Sequence, residues 1–172
     1  MNFTLEEIET NKETFRHILT VRSLLMQVIQ DLCVRANKHD LSKLTTPEVD
    51  TFTRYTANLK YTEYGSDKYK QCLIGMKPAL DNHYSNNSHH PEHYENGING
   101  FDILDLVELL VDWKASSLRS KNGNLEKSLE IQKERFGIDN QLYDILKNSI
   151  SLIENYAKEA NVETSYKGNI KT

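Results

Sequence analysis

From Leu5 to about Arg35 the apolar residues Ile8, Phe15, Ile18, Leu19, Val21, Leu24, Leu25, Val28, Ile29 and Leu32 recur at steps of three and four, with no Pro or Gly to interrupt them. That period is helical and excludes a strand, whose buried face would repeat every second residue. The segment therefore forms one long helix or two in series. His17 falls inside it, next to Ile18, where an imidazole faces either a core or a site.

The rest of the chain repeats the pattern in shorter pieces. Thr46-Pro47-Glu48 is a helix start, because Thr accepts a backbone N–H bond and Pro is tolerated in the first turn. Val49, Phe52, Tyr55 and Leu59 follow as one stripe. After a turn over 61–66, a further helix runs from Ser66-Asp67 through Tyr69, Leu73, Met76 and Leu80 to His83, and Pro78 is expected to bend or restart it. Phe101 to about Arg119 is apolar nearly all round and suits the central helix of a bundle. A Gly-containing turn at 121–124 leads to Asn124, which caps a helix over Leu125–Phe136 that Gly137 closes. Asp139 starts the last helix, with Leu142, Ile145, Leu146, Ile150, Ile153 and Tyr156 in a stripe that fits packing either within one chain or across a homodimer. The expectation is an all-α, single-domain bundle of about six helices over residues 1–160, with a polar tail at 161–172.

Composition narrows the function classes. The chain has 172 residues, 38% apolar and 27% charged, as in an ordinary globular domain. A net charge of −4 argues against an extended nucleic-acid surface. No long apolar run points to a membrane. Cys33 and Cys72 sit within helical apolar patterns and no secretory leader precedes them, so buried free thiols in the cytoplasm are expected.

Two stretches carry chemistry. His39-Asp40-Leu41-Ser42-Lys43 sets an imidazole and a carboxylate side by side, and both can ligate one divalent ion if the backbone turns there. The second stretch, Asn82 to Gly97, holds four of the six histidines, His83, His89, His90 and His93, among Asn, Ser, Pro and Gly. Loops on a rigid scaffold are common places for sites. Further along, Asp105, Glu108 and Asp112 interrupt an apolar surface, and buried carboxylates are costly unless paired or bound to a cation. Glu108 and Asp112 share a helix face, either toward a metal or toward solvent, Lys114 or Arg119.

In order, the donors His17, His39-Asp40, His83, His89 or His90, and Asp112 resemble the HD superfamily of all-helical, metal-dependent phosphohydrolases, and His39-Asp40-Leu41-Ser42-Lys43 is similar to its His-Asp-x-x-Lys segment. His89-His90 with Glu92 looks like the His-His-Glu region of its cyclic-dinucleotide phosphodiesterases. Pro91 intervenes and a Gly-Tyr-Pro signature is absent, which weighs against that substrate. A closer resemblance, over about 14–150, is to small uncharacterised phage and bacterial proteins. They carry His-Asp-Leu-Ser-Lys, Asn-x-x-His-His-Pro-Glu-His and Glu-x-x-x-Asp-Trp-Lys-Ala, which stand here at His39–Lys43, Asn86–His93 and Glu108–Ala115.

The superfamily resemblance implies one or two divalent cations, with Mn, Fe, Zn, Mg, Co and Ni all compatible, acting on a nucleotide or another small phosphate ester. It implies His17, His39, Asp40 and Asp112 as the primary ligands, and His83 with His89 or His90 for a second ion. Lys43 would neutralise a phosphate oxygen or fix Asp40. Glu48, Glu92 and Glu108 would orient ligand histidines, with Glu92 close enough to the chemistry to act in it, and Asn86 and His93 would contact substrate. A di-iron oxygenase of the same superfamily uses the same ligand order, and a non-catalytic protein stapled by metal fits the donors as well.

Overall fold

The computed structural model describes residues 3–60, 66–119 and 123–160. Residues 61–65 of the expected turn at 61–66, residues 121–122 of that at 121–124, and the polar tail at 161–172 lie outside the described residues. Among those described there are six α-helices, short 3-10 turns and no strand, so the chain is all-α. No helix among the described residues is long and apolar enough to cross a membrane. The chain divides into two compact units, Met1–His39 and Asp40–Thr172.

The first unit is helix α1, Leu5–Lys38, a single unbroken helix. Thr4 and Glu7 close a reciprocal capping box: the Glu7 N–H donates to Thr4 Oγ1 at 3.2 Å and the Thr4 N–H to Glu7 Oε2 at 2.8 Å. The bonds that the Glu7 carboxylate accepts from the Thr4 N–H and the Thr4 hydroxyl hold it below its ordinary range. Acidic Glu6 and Glu7 at the start and basic Arg35 and Lys38 at the end complement the helix dipole. His39 caps the C-terminus, its N–H donating to Arg35 O at 2.8 Å.

The second unit opens on Asp40 with φ at 57°, a left-handed conformation that Asp tolerates better than most residues. A 3-10 turn, Leu41–Leu44, leads to α2, Glu48–Lys60. The Thr46-Pro47 peptide is cis. Thr46 does not serve as the expected backbone cap here; its hydroxyl donates to Asp50 Oδ2 at 2.9 Å. Helix α3, Asp67–Asn86, packs on α2 and runs through Pro78 without restarting. One missing donor is tolerated because neighbouring turns keep their bonds and the helix is held by burial of Cys72, Met76, Ala79 and His83. The helix also reaches further than the composition of 82–86 suggests, so His83 lies in its last turn rather than at its end.

The His-rich segment that follows is shaped by two 3-10 turns, Pro91–His93 and Gly97–Gly100. Helix α4, Ile103–Leu118, starts at the Asp102 N-cap. It is not buried all round: Leu109, Leu110 and Trp113 face inward, whereas Ile103, Val107 and Val111 are exposed. Helices α5, Leu125–Phe136, and α6, Asn140–Glu159, begin at the expected caps, Asn124 and Asp139, and Gly137 ends α5 in the left-handed region at φ 62°. The core joins Leu109, Leu110 and Trp113 of α4 to Leu125 and Leu129 of α5, Leu146 of α6, and Ile98 and Ile138. On α6, Leu142, Ile150 and Ile153 pack against it, while Ile145 and Tyr156 are exposed and narrow the expected stripe.

Candidate metal centre

In the second unit, three loci separated in sequence meet at one point. The αL turn at Asp40 presents its carboxylate, the last turn of α3 presents His83, and the segment after α3 presents His89 and His90. Asp40 Oδ1 lies 3.3 Å from His83 Nε2 and 3.6 Å from His89 Nε2. His83 Nε2 lies 2.9 Å from His90 Nε2, an approach that two nitrogen lone pairs tolerate only with a proton or a cation between them. Donors of one cation, each about 2.1 Å from it, stand roughly 3 to 4 Å apart, so these separations suit a metal. Asp40, His83 and His90 each offer a ligand atom within 4.8 Å of the others.

The imidazoles are held from behind. Glu48, fully buried at the start of α2, places Oε2 2.9 Å from His83 Nδ1 and accepts a bond from Asn82 Nδ2 on Oε1 at 2.8 Å. Glu108 of α4 places Oε1 3.1 Å from His89 Nδ1. A carboxylate at Nδ1 keeps the proton on that nitrogen and turns the Nε2 lone pair toward the other donors, the arrangement that metal-bound histidines commonly require. Burial of both rings, each about 2% exposed at the side chain, removes competing water.

Electrostatics disfavour the charged forms of His83 and His90. Burial, followed by neighbouring His89 and His83, lowers the His90 pKa to about 3, against the pull of Asp112 and Asp40. Burial and Lys43 push His83 down, opposed by Asp40 and Glu48. The unfolded chain takes protons on these imidazoles below about pH 6.5, and the folded chain refuses them until lower pH. The contribution of these two rings to the folding stability of the metal-free protein is therefore fully present above that value and is lost as pH drops toward 3. Thermal melts in chelator between pH 7.5 and 4.5 should show this slope, and His90→Gln should flatten it.

The other sequence candidates are distributed as follows. His17 shares a face of α1 with Val21 and Leu25, and His39 ends that helix; both belong to the first unit, and the distances above are those of the second alone. Lys43 Nζ pairs with Asp40 Oδ2. Asp112, half-buried on α4, is close enough to act on His90 by its charge. His93 turns away, its Nδ1–H donating to the Tyr84 carbonyl at 2.7 Å. Asn86 donates to Asn82 O at 2.8 Å, and Glu92 pairs with Arg135 Nη2 of α5 at 2.8 Å. His93 and Glu92 brace the His-rich segment against α3 and α5, and Asn86 bonds within α3, so none of the three joins the convergent donors.

Sequence reasoning passed over Ser42 and Asn87, which pack around His83. Ser42 Oγ lies 3.3 Å from His83 Nδ1 and accepts from Asn87 Nδ2 at 2.9 Å. Asn87 also donates to His83 O at 2.7 Å. The available signal was spacing: Asn87 stands four residues after His83, on the same side of α3 as it ends.

Comparison with known proteins adds a family. The profile of a family of unknown function, DUF5662, matches residues 6–159. The chain belongs to this family. No curated protein and no solved structure matches it. The DUF5662 match spans both units and includes every donor named above, so the carboxylate-backed imidazoles lie within the family's shared segment.

Proposed function

We propose that this DUF5662 protein is a metal-dependent phosphohydrolase acting on a nucleotide or another small phosphate ester. The observation that supports this most is the pair of buried imidazoles, His83 backed by Glu48 and His89 backed by Glu108, both turned toward Asp40. His90 and Asp112 extend the donor set. His39, directly before Asp40 in the chain, and His17 are assigned to it on the order of residues in the sequence alone.

A divalent cation held by such donors supplies Lewis acidity for a phosphoryl oxygen and acidifies water. The chain's own residues do the rest. Glu48 and Glu108 fix the ring orientations, so no reorganisation is needed as charge develops. Lys43, half-buried beside Asp40, brings an ammonium to the edge of the cluster, where it neutralises a phosphate oxygen. It cannot ligate metal while protonated.

Elemental analysis of untagged protein purified without added metal, followed by a phosphatase and phosphodiesterase panel with Mn, Mg, Co, Ni, Zn and Fe, tests the reading. Phosphate release stimulated by a bound divalent ion supports it. Paired iron with dioxygen consumption and no phosphate release would replace it with an oxygenase, and retained metal without turnover would leave a structural staple. Lys43→Ala is expected to keep the metal while lowering turnover by about a hundredfold, the scale of losing one electrostatic donor. Unchanged turnover would remove Lys43 from the chemistry.

A further inference from the structure

The residues that make His89 and His90 available lie outside the cluster itself. The arc 88–94 carries both imidazoles, and its two ends are fastened to one side chain. Ser88 Oγ donates to Asp105 Oδ1 at 2.7 Å, and Tyr94 OH donates to Asp105 Oδ2 at 2.9 Å. Asp105 is fully buried in the first turn of α4, and its Oδ2 also accepts the Asp102 N–H at 3.1 Å. A buried carboxylate is tolerable only when its lone pairs are met in this way.

We infer that Asp105 is a positioning residue for the metal centre, a clasp that sets where His89 and His90 present their nitrogens. One turn along the same helix, Glu108 meets His89 Nδ1, so α4 grips the arc at its start, at its end and at the imidazole between them. The Tyr94 ring is seated as well: it meets Phe101 edge-on at 5.6 Å between centroids. It also lies so close to Gly100 that a Cβ there would fall 2.6 Å from its Cγ. The hydroxyl is thus fixed by packing before it reaches the carboxylate. Ser88 directly precedes His89, so releasing its bond frees the backbone that aims the ring.

The inference rests on the metal reading, and the test separates the two. Co²⁺ titration of the full chain, followed by its ligand-field absorption, is compared among wild type, Asp105→Asn, Tyr94→Phe and Asp102→Ala. Asp105→Asn and Tyr94→Phe are expected to weaken Co²⁺ binding by about 10- to 100-fold and to shift the absorption bands, as loss of a residue that orients ligands does. Asp102→Ala removes the side-chain cap of α4 and leaves in place the bonds to the Asp105 carboxylate from Ser88, Tyr94 and the residue 102 backbone N–H. It should lower the melting temperature and leave affinity and spectrum unchanged. Tyr94→Phe, a single-atom deletion at a half-buried site, keeps the test decisive if Asp105→Asn does not fold. Wild-type affinity and spectrum in Tyr94→Phe and in any folded Asp105→Asn would overturn the clasp alone. Absence of Co²⁺ binding by wild type would overturn the metal reading and the clasp with it.

Discussion

Asp40→Asn is expected to abolish divalent-metal retention, weakening affinity by more than the roughly 10- to 100-fold that residues behind the ligands contribute. Oδ1 of Asp40 stands within 3.6 Å of both His83 Nε2 and His89 Nε2. An amide of the same shape offers no negative charge to balance a dication. The substitution is chosen for the backbone: at φ 57° Asn is as tolerant of the left-handed region as Asp, so the turn survives. The metal-free variant should melt within a few degrees of wild type, because the ion pair that it loses, with Lys43, is partly solvent-exposed. Metal content by elemental analysis and melts in chelator, taken together, read both quantities. Equal metal occupancy in wild type and Asp40→Asn would contradict the assignment of this site.

The largest effect on stability is expected in the other half of the second unit. Leu129 on α5 is fully buried among Leu109, Trp113, Leu125 and Leu146. Leu129→Ala removes three methylene-sized groups and leaves a cavity at a helix junction that cannot easily collapse, a cost of about 2–5 kcal/mol. For a chain of this length that corresponds to a melting temperature lower by roughly 5–15 °C. None of the convergent donors lies on α5, so metal affinity should stay within about twofold of wild type. A loss below about 1 kcal/mol in denaturant titration would mean that the α4–α5–α6 core is not packed as described. The two variants thus exchange effects: Asp40→Asn takes the metal and spares the fold, and Leu129→Ala does the reverse.

Local chemistry made much of the fold legible. Asn124, Gly137 and Asp139 announce where α5 and α6 begin and end, because caps act through bonds to residues only two to four positions away. The unbroken apolar period of α1 marked the segment as helical for the same reason but left open one helix or two in series, and the structure has one. Pro78 does not restart α3, because its local cost is outweighed by burial contributed from α2, which no local signal reports. The apolar surface of α4 misled: its residues permit burial on every side, but its neighbours cover only part of it.

The donors were legible as types and not as geometry. Histidine and aspartate at positions 39–40, 83, 89, 90 and 112 are set by the sequence, as is the requirement that buried imidazoles and carboxylates find partners. Which of them meet was decided by tertiary structure. His89 and His93 lie in one short tract of similar composition, yet one faces Asp40 and the other a backbone carbonyl, because Glu108 and Tyr84 come from helices that only folding brings alongside. Glu92 and Glu108 are both plausible partners for an imidazole in the sequence, and the packing of α5 gave the first to Arg135. The sequence by itself determined an all-helical chain rich in metal-ligating side chains. The packing of α2, α3 and α4 decided that Asp40, His83, His89 and His90 share one point, since directional lone pairs converge only when the backbones that carry them are fixed in space.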